Sequence, residues 1–133
     1  MTAAAVTLAS AIADTLSGSS FFSAVYPLPN PQPESQSASI VPASGELSTA
    51  TKSALSFVVT VVASPLDYSE ALGWLYQAAE EVSKALAADP TCGGACSGVR
   101  VAKWERAYLT SIIGGSDALA LDVTLTPTYA KGI

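Results

Sequence analysis

The sequence predicts a single α+β domain in which an antiparallel sheet of about four to five strands carries an N-terminal helix and a long central helix on one face. Three stretches predict it. Leu66 to Asp89 holds the longest helical signal in the 133 residues: Leu72, Leu75, Ala79, Val82 and Leu86 fall at steps of three and four. Leu119, Leu121, Val123 and Leu125 alternate with Ala120, Asp122, Thr124 and Thr126, the pattern of a half-buried strand. Leu55, Phe57, Val59 and Val61 also alternate, with Val58 and Val62 apolar on the second face, as in a strand covered on both sides.

Taken in order, the chain opens with a helix over Thr2 to Leu16. Ala5, Leu8, Ile12 and Leu16 give the helical step, Thr2 can cap it and Ser17-Gly18-Ser19 ends it. The Ala-rich run to Ala13 superficially resembles a leader segment but has no Lys or Arg at its start, so it is read as a core helix. Phe21 to Tyr26 reads as a short aromatic strand. Pro27, Pro29, Pro31 and Pro33 then stand at alternate positions, and Ser-rich sequence follows to Lys52. Such a stretch forms neither helix nor central strand; a short strand at Ala38 to Val41 interrupts it. An extended loop or arm is expected over 27–52, and two readings of it stand: a segment reaching a neighbouring subunit, or a surface loop.

The central helix has Asp67 as N-cap with Glu70 three residues on, and Pro90 forbids its continuation. Val99 to Leu109 reads as the next strand. Val99 and Val101 share one phase while Trp104 and Tyr108 share the other, which predicts a bulge, a twist or two occupied faces. Arg100, Lys103 and Arg106 are half of the chain's six basic residues. They form a positive strip, read as either a solvated face or a subunit contact. Gly114-Gly115-Ser116-Asp117 makes a turn into the last strand, Pro127 closes that strand, and Thr128 to Ile133 is a short tail.

Composition limits the chemistry. Half of the residues are hydrophobic and only 13% are charged, a balance that favours burial of surface against partners. The net charge of −5 leaves no basic stripe with which to hold nucleic acid. The absence of histidine removes Ser-His-Asp and Cys-His triads and most catalytic zinc sites. Cys92 and Cys96 admit a disulfide, a zinc site shared across subunits, or two small residues in a Gly-rich turn, and the last is favoured. No phosphate loop, nucleophile elbow or paired carboxylate stands out. Neither enzyme activity nor a cofactor or metal is expected, and no apolar run is long enough to span a membrane.

Ala88-Asp89-Pro90-Thr91, Gly93-Gly94 and Val99-Arg100-Val101, with the long helix before them, resemble the tail terminator or tail completion proteins of long-tailed bacteriophages. Members run from a long helix through a turn of this kind into a strand and a final hairpin. The sharp part of the resemblance covers about a fifth of the chain. Cys92 stands where an aliphatic residue is usual, and the turn that holds Cys96 is longer. The resemblance implies a structural virion protein of the tail and neck, assembled in the host cytoplasm. It would form a ring, commonly a hexamer, that caps the tail tube, stops its polymerisation and receives the neck or head-completion protein. DNA would only pass through the lumen, which an acidic balance favours. Another neck component (a head-completion or adaptor protein) is the alternative within that setting, and a small secreted disulfide-containing domain lies outside it. The expected interface residues are Pro29, Pro31, Pro33, Arg100, Lys103, Trp104, Arg106 and Tyr108.

Overall fold

The computed structural model describes residues 4–29, 35–45, 54–64, 68–105, 107–111 and 117–129. In chain order these form α1 (Ala4–Ser17), β1 (Ala24–Tyr26), β2 (Ser37–Gly45), β3 (Ala54–Ala63), α2 (Tyr68–Ala88), β4 (Val101–Trp104), β5 (Tyr108–Ser111), β6 (Asp117–Leu125) and β7 (Thr128–Tyr129). The fold is α+β, two helices on a sheet of seven strands. Thr2, Asp67 and the Gly114–Ser116 part of the last turn lie outside the described residues.

The alternating and helical patterns fold because each has one buried side. On α1, Leu8, Ile12 and Leu16 are fully buried; on α2, Leu75, Val82 and Leu86 are, with Ala71, Ala78 and Ala79 filling the same stripe. Leu72 sits at the flank, only partly buried. Each buried Leu or Ile contributes about 1.5–3 kcal/mol relative to exposure. The sheet meets them with rows set by its register: Ile40–Val59–Val123 and Ala38–Val61–Leu121 run across β2, β3 and β6. All six belong to the same core cluster as the helix residues.

The sheet departs from expectation in number and direction. Its path is β1-β2-β3-β6-β4, five strands across, while β5 also pairs with β6 and β7 with β3. Seven segments arise because two long strands are interrupted. Pairing along β6 slips by one residue between Val101 and Lys103, and by one more between Trp104 and Tyr108, splitting the predicted Val99–Leu109 strand into β4 and β5. Thr126 and Pro127 separate β6 from β7, so Thr128 and Tyr129 form a strand on β3 where a tail was expected. That strand is tied to the turn after α2. Ser97 N–H donates to the Tyr129 carbonyl at 2.9 Å, and Gly98 N–H to the buried Thr128 hydroxyl at 3.3 Å.

The sheet is mixed rather than antiparallel, because β1 runs parallel to β2. The Pro-rich connection between them is long enough to return the chain to the end where β1 began, which a tight turn could not do. β2 itself is longer than the predicted Ala38–Val41 and lies inside the sheet, between β1 and β3. Pro42 is tolerated there because the register shifts between Pro42 and Ser44, a bulge where a missing N–H costs little.

Among the described residues both helices lie on one face. The other face carries the rows Ser39–Thr60–Asp122, Ser37–Val62–Ala120 and Val41–Val58–Thr124. Val58 and Val62 do occupy it, but among small and polar neighbours rather than in an apolar sheet surface. Val62, Ala118 and Ala120 make a small second cluster there.

Candidate functional site at the sheet edge

Among the described residues β4 and β5 pair only with β6, so they form an edge of the sheet beside the exposed residues singled out in the sequence. Arg100, Lys103, Trp104 and Tyr108 are all exposed. Arg106 lies outside the described residues, as do Pro31 and Pro33. Pro29 is described and exposed, but it follows β1 and so stands by the opposite edge of the sheet.

The two aromatic residues of the edge separate. Trp104 pairs with Val123 and faces the helices, whereas Tyr108 pairs with Ala120 and faces away. Their shared sequence phase predicted one face; the one-residue slip between them reverses it. Trp104 meets Tyr76 of α2 with ring centroids 5.2 Å apart at 49°, and the two are 51% and 45% exposed. Sequence reading missed Tyr76. Its signal was an aromatic residue off the Leu75–Ala79–Val82 stripe, which on an amphipathic helix means exposure.

On the far face, Tyr108 OH donates to Asp122 Oδ1 at 3.1 Å, and Thr60 Oγ1 donates to the same oxygen at 3.0 Å. Burial, followed by the negative charge of Asp122, pushes the Tyr108 phenol up to about 12. The arrangement holds the ring of Tyr108 against the sheet. Asp117 and Asp122 do not pair, since an odd separation along β6 turns them to opposite faces.

The basic strip is partly neutralised. Lys103 Nζ lies 3.2 Å from Glu105 Oε1, both well exposed, a contact worth about 0–1 kcal/mol. Arg100 lines a shallow cleft with Pro90, Val99, Thr126 and Pro127. Among the described residues no cluster of three His, Cys, Asp or Glu could hold a metal ion. No described helix is long and apolar enough to cross a membrane.

Cys92 and Cys96 are free thiols, both buried, and both belong to the core cluster. Cys96 Sγ lies 3.6 Å from the Pro90 carbonyl. Cys92 packs in the core as a small hydrophobe. Burial, chiefly, pushes its thiol up to about 11 from 9.0. Because the unfolded chain ionises first, the folded state loses stability as pH rises from 9.0 through 11. In a native-state thiol titration at pH 8, Cys92 should react far more slowly than in denaturant; equal rates would show that it is not held in the core.

No protein-family model matches the chain, and no curated protein matches it.

Proposed function

We propose that this chain is a tail terminator of a long-tailed bacteriophage: a structural protein that assembles into a ring, commonly a hexamer, on the end of the tail tube, stops its growth and receives the neck. The observation that carries this reading is the exit of α2. Asp89 Oδ2 accepts the Gly93 N–H at 2.9 Å, and Cys96 N–H donates to the Thr91 carbonyl at 3.1 Å. Val99 N–H donates to the Pro90 carbonyl at 2.8 Å. Through these bonds the residues that resemble the family fold as helix, turn and strand, and deliver the chain into β4.

The fold suits a ring component in two further respects. Among the described residues its sheet has an edge strand with exposed aromatic residues, and no described helix packs on its second face. The net charge of −5 suits a lumen that DNA crosses without adhering.

Electron microscopy of the protein mixed with tail-tube protein tests the proposal. Added density at one tube end, with shorter tubes, is the expected result. Tubes of unchanged length with bare ends would sink it. Binding to head-side connector proteins alone would assign the chain to the neck's head-completion or adaptor components instead.

A further inference from the structure

Among the described residues, two groups of exposed apolar residues stand at opposite edges of the sheet, apart from the scattered Val6 on α1, Leu109 on β5 and Tyr129 on β7. At the β1 edge, Pro27, Leu28 and Pro29 leave the strand exposed, with Leu28 60% accessible between two prolines. At the β4 edge stands the Tyr76–Trp104 pair. Beside it on α2, Gly73 is exposed one helical turn before Tyr76, and a Cβ there would meet no atom within 4 Å. The rings therefore border open space rather than a packed surface.

The two features are chemically complementary. Alternating prolines hold a backbone extended before binding, so little conformational entropy is lost when it docks. Pairs of exposed aromatic rings on such a surface are the usual acceptors for proline-bearing extended segments. An aliphatic side chain held between prolines adds an anchor for the space beside the rings.

Reach decides between one chain and two. Leu28 is two residues beyond Tyr26 of β1, so it lies within about 7 Å of that strand. β4 is four strand spacings away, about 19 Å. A subunit cannot place Leu28 on its own Trp104.

We infer that the Pro27-Leu28-Pro29 segment of one copy docks on the Tyr76–Trp104 pair of the next, joining copies head to tail. Donor and acceptor lie on different edges, so the contact is heterologous and continues from copy to copy until a ring closes. The inference deepens the terminator reading and rests on it for closure into a ring; the head-to-tail contact itself is tested without tube protein.

Sedimentation velocity of the full chain over a concentration series provides the test. The wild-type chain should form species larger than a dimer. Leu28→Asp and Trp104→Ala should each weaken association about tenfold or more, while Val6→Asp, at an exposed apolar residue of α1, should not. Mixing Leu28→Asp with Trp104→Ala leaves one intact donor and one intact acceptor, so the mixture should form dimers and stop there. Tyr76→Ala provides a second acceptor variant if Trp104→Ala fails to fold. A wild-type monomer at the highest soluble concentration would overturn the inference, as would variants that associate like wild type or a mixture no more associated than its parts. Intact head-to-tail association with no tube-end binding would sink the terminator reading alone; capping of tubes by the two single variants would sink this inference alone.

Discussion

Replacing Phe57 with alanine is expected to cost about 3–5 kcal/mol of folding stability. Among the described residues Phe57 is the largest fully buried side chain, 1% exposed, and lies on β3, the strand with β2 on one side and β6 and β7 on the other. Truncation removes the ring's transfer free energy and leaves a cavity that the rest of the core cluster between sheet and helices can only partly fill. Since a domain of this kind is stable by about 5–15 kcal/mol in all, the variant should unfold at a much lower urea concentration, with little change in slope. Leu109→Ala makes the contrast. That side chain is 68% exposed on β5, and its loss should fall within about 0.5 kcal/mol of neutral. Equal losses for the two variants would mean that the core does not lie between β3 and the helices.

The same core explains which parts of the fold were legible in the sequence. Leu8, Ile12 and Leu16, or Leu119 through Leu125, are periodic because each element buries one side, and that cause acts locally along the chain. β2 was legible only at Ala38–Val41, because its serines and Pro42 are poor strand formers that the sheet accepts for positional reasons. Ser37 and Ser39 are buried on the face away from the helices, and Pro42 sits at the bulge. The parallel pairing of β1 could not be read from composition, since direction depends on where the Pro-rich connection returns. At the edge site, the identities of Arg100, Lys103, Trp104 and Tyr108 were visible, but their faces were not. A slip of one residue moves Trp104 beside Tyr76, 28 positions earlier, and sends Tyr108 to Asp122 on the other side. Contacts between such distant positions leave no periodic trace.

Gly94→Val is expected to lower stability by about 1–3 kcal/mol through the backbone alone. Cys92, Gly93 and Gly94 follow one another at φ of 50°, 73° and 88°, a left-handed run that carries the chain from the end of α2 back toward β4. A Cβ at Gly94 would meet no atom within 4 Å, so a β-branched residue there has room but not the conformation. Gly94 N–H also donates to the Thr91 carbonyl at 3.1 Å, a bond that depends on that conformation. The outcome bears on what the residues resembling the phage family are for. If they are kept for turn geometry, Gly94→Val shifts the urea midpoint but still reaches tube ends under conditions where it is folded. Trp104→Ala should behave in the opposite way, folding normally and failing to assemble. An unshifted midpoint together with lost tube binding would instead make the Asp89–Gly94 turn a contact surface. The docking face of the proposed terminator would then lie at the end of α2 rather than along the edge of its sheet.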